Sequence, residues 1–305
     1  MNNSGTAMNA IAAPALLVFL SSTSFIAART VAPHADPILF LFIRFLLVVL
    51  LFAIFARNVP WPKGWQFVGH LLAGMVINGV YLVASWWAVG NGLAAGVMTL
   101  MGALQPLFAA LLVVAVLRNP IKRSAWFGLA LGFAGVALVI SPRLVNVDAE
   151  GLPPVPAALG LLSIIALTTG TMVQKSSLSS ANLRATGAIQ HFGAAIITSI
   201  ALPIVGTGHW DGSPDLWFAL AWSVIGLSLA GTSLFVWMIR RGEVTRVTAL
   251  MLLVPPATAL QAWFLFGETL NGIQITGFVL ALLGVTLVQG FARAFDTKIR
   301  DRTLP

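Results

Sequence analysis

The chain has 305 residues, of which 58% are hydrophobic and only 9% are charged, and its mean hydropathy is +0.94. A soluble domain carries about a quarter charged residues, so this composition excludes a water-soluble fold. The formal net charge of +8 suggests nucleic acid binding at first, but the cations stand in twos and threes between apolar runs and form no basic stripe. The sequence therefore predicts a membrane protein without a nucleic acid partner.

Long apolar runs follow one another along the whole chain. A helix of roughly 17 to 25 residues crosses the hydrocarbon core of a bilayer while satisfying its backbone hydrogen bonds internally. The first run has no preceding Lys or Arg and no cleavage site before a soluble domain, so we interpret it as a retained helix rather than a signal peptide. We predict an all-α membrane protein with ten transmembrane helices, at Ala10–Ala28, Pro37–Phe55, Trp65–Val89, Ala94–Leu117, Ala125–Ile140, Pro156–Val173, Arg184–Val205, Leu216–Ile239, Val247–Phe266 and Ile273–Ala292.

The loop charges predict the orientation of these helices. With a cytoplasmic N-terminus, every loop or tail cation except Arg29 and Arg143 falls on the cytoplasmic side. The opposite side then carries mainly carboxylates, including Asp36, Asp211 and Glu268. Because Lys and Arg in short loops are retained in the cytoplasm, both termini are predicted to be cytoplasmic.

An internal repeat explains the charge pattern. The segment "WAVGNGLAAGVMTLMGALQPLFA" from Trp87 matches "WMIRRGEVTRVTALMLLVPPATA" from Trp237, about 150 residues later. Five helices per copy place the second copy upside down, and the charges agree: "RNPIKR" is basic whereas its counterpart "GETLNG" is acidic. We predict two inverted five-helix repeats, residues 1–150 and 151–292, around a central cavity, followed by a basic cytoplasmic tail, residues 293–305.

Polar side chains at helical spacing within the spans indicate where this cavity lies. Amide, phenol, hydroxyl, imidazole and thioether groups could bind both ends of a small amphipathic molecule. Small and hydroxyl-bearing residues also hold membrane helices together, and a lone histidine often only hydrogen-bonds a neighbour, so packing remains an alternative for each. The candidate binding residues are Asn78, Tyr81, Ser85, Met101, Gln105, His191, Thr232 and Gln261.

Three further residues are candidates for gating or structural roles. The Arg44 guanidinium keeps its charge within the second span, so it should face protein, either packing or gating there or contacting a substrate carboxylate. Pro106 and Pro256 remove backbone donors in spans four and nine, which predicts either static kinks or hinges.

Catalytic and cofactor sites are not expected. Each of the nine carboxylates falls in a loop, in a tail or at the edge of a span, which disfavours a carboxylate proton relay. The chain has no cysteine, and we find no intramembrane catalytic triad, metal-ligand spacing or phosphate-binding loop. The sequence thus predicts a protein that is not an enzyme and uses neither a cofactor nor a metal.

The two-repeat pattern, the ending "LFGETLNGIQITGFVLALLGVTLV", and the prolines of "LQPLFAALL" and "VPPATALQAW" resemble the drug/metabolite transporter superfamily, in its EamA-type ten-helix branch. Within that branch the chain resembles bacterial aromatic amino acid exporters, which implies an inner-membrane location and a cavity between the halves. The first repeat has "VLRNP" in place of the family's Leu-Gly-Glu pattern, so Glu268 has no partner copy.

These observations predict a secondary transporter that exports small amphipathic metabolites, aromatic or other neutral amino acids first, by alternating access. Uniport is expected, with a proton-coupled drug/metabolite antiporter that uses His191 as the alternative. A channel or a helix-packing subunit is the competing class. The expected partners are a small-molecule substrate and the lipid bilayer, and the chain is expected to be a monomer or a dimer.

Overall fold

The computed structural model describes residues 3–117, 123–145, 154–177, 182–240 and 250–300. Within these ranges the chain is helical, and its only β-type pairing is an isolated antiparallel bridge between Ala35 and Trp210. The prediction of an all-α membrane protein is confirmed.

Ten helical spans, α1 to α10, follow the predicted order within the described residues. Seven of them are long and apolar enough to cross a membrane, while α5 and α10 contain the shorter apolar segments Trp126–Val139 and Gly272–Leu287. Their bounds are α1 Asn3–Val31, α2 Pro37–Phe55, α3 Trp65–Gly90, α4 Ala95–Ala103 with Gln105–Leu117, α5 Arg123–Val145, α6 Pro154–Ser177, α7 Leu183–Val205, α8 Pro214–Ala221 with Trp222–Gly231 and Thr232–Arg240, α9 Val254–Phe266, and α10 Gly272–Arg300.

The prolines of α4 and α9 lie near the starts of helices. The sequence instead predicts that they form kinks or hinges within continuous spans. α4 is interrupted at Leu104, and Pro106 lies in the first turn of its second part. α9 covers Val254–Phe266 with Pro255 and Pro256 in its first turn, and Leu250 and Met251 before it are also helical. The start predicted for this span, Val247, lies outside the described residues. The first-turn N–H groups of a helix have no intrahelical acceptor, so proline costs no hydrogen bond there.

α10 differs from its prediction at its C-terminal end. The helix continues to Arg300, through most of the segment predicted as a tail. At its start, Asn271 Oδ1 accepts from the Gln274 N–H at 2.9 Å, and Gln274 Oε1 accepts from the Asn271 N–H at 3.0 Å. This reciprocal cap fixes the first turn of α10.

Helix packing divides the chain into two compact units. Unit 1 comprises Met1–Thr99 and Pro153–Glu268, and unit 2 comprises Leu100–Leu152 and Thr269–Pro305. Each unit therefore contains segments of both sequence repeats, so the boundaries of the repeats and of the packing units do not coincide.

The direction of α2 and α7 within unit 1 fits the predicted inversion. These helices are second in their respective repeats and pack against each other. Asp36, just before α2, binds the backbone of Thr207 after α7, while Arg184 at the start of α7 donates to the Phe55 carbonyl oxygen at the end of α2, at 3.4 Å. Equivalent helices thus run in opposite directions, as inverted repeats require.

Unit 2 is held together by close backbone contact between α5 and α10. Gly284 lies against the backbone of Gly128 and Gly132, and a Cβ built on Gly277 would lie 2.5 Å from the Gly135 carbonyl oxygen. Small residues allow membrane helices to approach this closely, and dispersion contacts then stabilise the pair.

Candidate functional site

A buried arginine lies among the apolar helices of unit 1. Arg44 on α2 is only 5% exposed, and its Nε and Nη2 donate to the Ser228 hydroxyl of α8 at 3.3 and 3.1 Å. Its Nη1 has no hydrogen-bond partner among the described residues. The ion pairs of the described residues are Arg29 with Glu268 and His34 with Asp211, so none of them neutralises Arg44.

Aromatic rings extend from Arg44 along one side of unit 1. The guanidinium carbon lies 5.6 Å from the ring centroid of Trp86, which is fully buried. Trp86 stacks on Phe40 at 5.3 Å, and Phe40 stacks on Trp210 at 6.4 Å. The Trp86 indole Nε1 has no hydrogen-bond partner within the described part of the chain. Two buried N–H donors, on Arg44 and on Trp86, are therefore left unsatisfied, which is rare in protein interiors.

Two π-helical segments interrupt the helices around this cluster. Met75–Val80 lies within α3 and carries Asn78, and Trp222–Gly231 lies within α8 and carries Ser228. Asn78 and Ser228 are separated by the same interval as Trp87 and Trp237 in the sequence repeat. The third helix of each repeat thus contains a π segment at the corresponding position. Such segments occur frequently at functional sites.

His191 on α7 is buried against aromatic side chains of α2. Its ring centroid lies 5.9 Å from that of Phe45 and 5.7 Å from that of Phe52. Its Nδ1 lies 2.8 Å from the Gly187 carbonyl oxygen. A carbonyl oxygen only accepts, so Nδ1 carries a proton in this contact. The sequence analysis left open the alternative that His191 only hydrogen-bonds a neighbouring group, and this contact is of that kind.

Gln261 on α9 binds α1. Its Nε2 donates to the Ser22 hydroxyl at 2.7 Å, and Thr258 Oγ1 donates to the Ser22 carbonyl oxygen at 2.9 Å. Gln261 Oε1 is buried and has no partner among the described residues. These contacts place the Gln261 amide at a joint between helices from opposite repeats.

The loops at one end of unit 1 are clamped together by two carboxylates. Asp36 is buried, and its oxygens accept the N–H groups of Ile38 at 2.8 Å, Thr207 at 2.6 Å and Gly208 at 2.9 Å. We call these contacts, together with the 2.7 Å contact between His34 Nδ1 and Asp211 Oδ2, the loop clamp.

Asp211 contributes to the loop clamp from the α7–α8 loop. The Ser213 N–H donates to its Oδ1 at 2.8 Å, and its other oxygen pairs with His34. First the bond from Ser213 and then that from His34 stabilise the charged carboxylate, which lowers the pKa of Asp211 to about 2.

Comparison with known proteins identifies the family. The model of the EamA-like transporter family matches residues 8–141 and, in a second copy, residues 155–289. The chain belongs to the EamA-like transporter family. The two matches confirm the two-repeat architecture, and they establish a multi-pass membrane transporter with a small-molecule substrate.

Individual relatives of this EamA-like chain agree with that assignment. The chain is 25% identical over 291 residues to a probable amino-acid metabolite efflux pump of Salmonella typhimurium, covering 90% of this chain and 93% of the relative. It is 27% identical over 274 residues to Protein PecM of Dickeya dadantii, covering 88% of each. One solved crystal structure has the same fold, with a TM-score of 0.62 at 16% identity, covering 94% of this chain and 98% of that chain.

Arg44 and His191 both lie in the second helix of their repeat, on α2 and α7 respectively. Phe45 contacts His191 and directly follows Arg44, so the two residues are close in unit 1.

The other predicted site residues occupy varied environments. Asn78 and Tyr81 on α3 and Thr232 on α8 are half-buried. Ser85 is fully buried and donates to the Leu82 carbonyl oxygen of its own helix at 3.3 Å. In unit 2, Met101 is buried and Gln105 is half-buried.

Three residues of this region are not among the candidate binding residues named from the sequence, although helical spacing puts Ser228 on one face with Thr232. Ser228 could have been included because it corresponds to Asn78 in the repeat, and Asp36 because it precedes Pro37 at a helix start, where aspartate caps. Nothing in the sequence distinguishes Trp86 from the adjacent Trp87 as the buried residue.

An apolar groove of about 300 Å³ also lies in unit 1, between α2 and α8. It is lined only by apolar side chains, so it differs from the polar cavity predicted for the substrate. The lining residues are Leu47, Leu50, Leu51, Trp217, Leu220, Ala221, Val224 and Ile225.

Proposed function

We propose that this EamA-like chain is a secondary transporter that exports small amphipathic metabolites, with aromatic or other neutral amino acids as the substrate class, across a bacterial inner membrane. The observation that carries the proposal is a set of buried polar atoms that lack hydrogen-bond partners within the described residues, all of them in unit 1. They are Arg44 Nη1, His70 Nε2, Trp86 Nε1, Ser223 Oγ and Gln261 Oε1. Buried polar groups are costly in apolar surroundings, and a transported polar molecule would supply partners for them.

The relatives support an amino acid as the substrate. The Salmonella typhimurium relative is named as a probable amino-acid metabolite efflux pump. An amino acid offers a carboxylate and an ammonium group beside an apolar side chain, and unit 1 offers hydrogen-bonding groups beside aromatic rings. We propose that Asn78, Tyr81, Thr232 and the buried cluster around Arg44 line the path.

Alternating access fits the arrangement of α2 and α7. Because these equivalent helices run in opposite directions, an exchange of conformation between the repeats would open one end of the path while closing the other. The loop clamp would hold one end closed. We propose that this end lies outside the cytoplasm and that both termini lie inside, and the distribution of loop charges supports this orientation.

We propose uniport rather than proton antiport. His191 is buried and enclosed by the aromatic rings of Phe45 and Phe52, and a charged imidazolium is costly in such apolar surroundings. Export would then follow from a high cytoplasmic concentration of substrate.

Counterflow in proteoliposomes tests the transport proposal. Liposomes loaded with a single unlabelled amino acid should accumulate the same labelled amino acid, saturably and stereoselectively, for at least one member of a panel that includes phenylalanine, tryptophan and leucine. Flux that does not saturate would indicate a channel, and an absence of flux across the panel would reject the proposal. Accumulation driven by a pH gradient alone, and abolished by His191→Gln, would establish the antiporter instead.

Orientation is tested separately, because the chain contains no native cysteine. Single cysteines introduced at Lys122 and Asp211 should be labelled by an impermeant maleimide from the cytoplasm and from the periplasm, respectively. The opposite labelling pattern would reject the proposed topology.

A further inference from the structure

We propose that Arg44 is the anchor for a carboxylate of the substrate, an inference that rests on the proposed transport function and narrows its substrate class to carboxylates, zwitterionic amino acids included. A guanidinium keeps its charge under physiological conditions. Removing that charge from water is costly unless an anion compensates it. The ion pairs of the described residues leave Arg44 without such an anion.

The hydrogen bonds of Arg44 are incomplete in a way that fits a missing anion. A guanidinium has five N–H donors in a planar fork that suits the two oxygens of a carboxylate. Arg44 uses two of its nitrogens on a single acceptor, the Ser228 hydroxyl, at 3.3 and 3.1 Å. These distances exceed the roughly 2.7 to 2.9 Å of charged guanidinium–carboxylate bonds. Nη1 has no partner within the described ranges.

Trp86 provides a second unsatisfied donor beside the guanidinium. Its ring centroid lies 5.6 Å from Arg44 Cζ, and its Nε1 also has no described partner. An indole N–H and a guanidinium N–H can only donate, so a ligand that satisfies both must bring acceptors. A carboxylate brings two oxygens and the compensating charge together.

Other groups near Arg44 complete an amphipathic site. Phe45, which follows Arg44, encloses His191 together with Phe52, and Phe40 stacks on Trp86. These rings offer apolar contact to the remainder of the substrate. Arg44 is 5% exposed and Trp86 is 0% exposed, so a carboxylate reaches them only when unit 1 opens.

A purely structural role for Arg44 makes a different prediction. In that case the bond to Ser228 and the contact with Trp86 hold α2 in place, and Arg44→Gln should destabilise the unliganded protein. If Arg44 is instead held for a ligand, Arg44→Gln removes an uncompensated charge, and the unliganded protein should be as stable as wild type or more stable.

The test compares acids with their matched neutral amides. The thermal midpoint of the detergent-solubilised full chain is titrated with L-phenylalanine and L-phenylalaninamide, L-leucine and L-leucinamide, and phenylacetate and phenylacetamide. At least one acid should raise the midpoint at a concentration at least about tenfold lower than its amide, because only the acid can form a charge-assisted bond with Arg44. In Arg44→Gln this preference should disappear.

Two variants keep the result interpretable. Arg57→Gln removes a positive charge at an exposed position after α2 and should retain the acid preference in full. Arg44→Lys retains the charge but loses the fork, so it should fold and show a reduced acid preference even where Arg44→Gln expresses poorly.

The outcomes separate this proposal from the transport proposal. If no acid exceeds its amide in wild type, or if Arg44→Gln keeps the preference, the anchor is rejected. Counterflow that accepts an amide as well as its acid also rejects the anchor and leaves the transporter intact. An Arg44-dependent acid preference without any flux supports the anchor and rejects the transporter.

Discussion

Unit 1 and unit 2 are both built from apolar helices, but they bury different groups. Unit 1 encloses a charged guanidinium, two histidines and several hydroxyls, and it contains both π-helical segments. In unit 2, α5 and α10 meet backbone to backbone at glycines, and the Gln274 side chain adds a 3.3 Å bond to the Val139 carbonyl oxygen. Groups that a ligand can satisfy are thus concentrated in one unit, while the other gains its stability from close packing.

The substitution with the largest expected effect disrupts the packing of unit 2. Gly277→Leu places side-chain atoms where the Gly135 carbonyl oxygen and the Leu138 side chain already lie, so α5 and α10 must separate. We expect a loss of about 3 kcal/mol in unfolding free energy, measured by chemical unfolding in micelles. The matched control is Gly272→Leu, since a Cβ at Gly272 meets no atom within 4 Å. Equal stability of the two variants would contradict the packing role assigned to α5 and α10.

The next effect concerns the loop clamp of unit 1. Asp36→Ala removes the acceptor of three backbone N–H groups, two of which belong to Thr207 and Gly208 in the other repeat. We expect a loss of about 2 kcal/mol in unfolding free energy, because buried donors are left unpaired. Asp215→Ala, at an exposed position in the first turn of α8, should cost only about 0.5 kcal/mol. A similar loss of unfolding free energy in both variants would show that Asp36 in the loop clamp stabilises the protein no more than an exposed aspartate does.

A smaller effect tests whether polar contacts between the helices of unit 1 contribute to its stability. Trp222 Nε1 donates to the Thr23 hydroxyl at 3.0 Å, which joins α8 to α1. In a double-mutant cycle of Trp222→Phe with Thr23→Val, we expect a coupling energy of about 1 kcal/mol. Strictly additive effects would show that this bond does not contribute to the stability of unit 1.

The smallest effect is a pH dependence of the exposed part of the loop clamp. The pKa of Asp211 is lowered to about 2 from an ordinary value of 3.8, so its bonds to Ser213 and His34 stabilise the folded protein above pH 3.8. That contribution is lost as the pH falls from about 4 to 2. The thermal midpoint of wild type should therefore exceed that of Asp211→Asn at pH 5 and converge with it near pH 2. A difference that persists at pH 2 would contradict this account.

The sequence by itself determined the helical architecture of this protein. Lipid offers no hydrogen-bond partners, so long apolar runs must form helices, and ten of them were located with their order correct. The repeat around Trp87 and Trp237 predicted two copies, and the family matches at residues 8–141 and 155–289 confirm them. The break of α4 at Leu104 was not located, because its position beside Pro106 depends on how the preceding turn folds.

Only the tertiary structure decided which polar groups meet. Arg44 and Ser228 are 184 residues apart in the chain, and Ser22 and Gln261 are 239 apart, so neither pairing follows from helical spacing. A π segment adds one residue to a helical turn and rotates every side chain beyond it, which the apolar pattern of α3 or α8 does not record. The apolar character of a segment is local and can be read from the chain, whereas the partner of a buried donor depends on the rotation and approach of helices from both repeats.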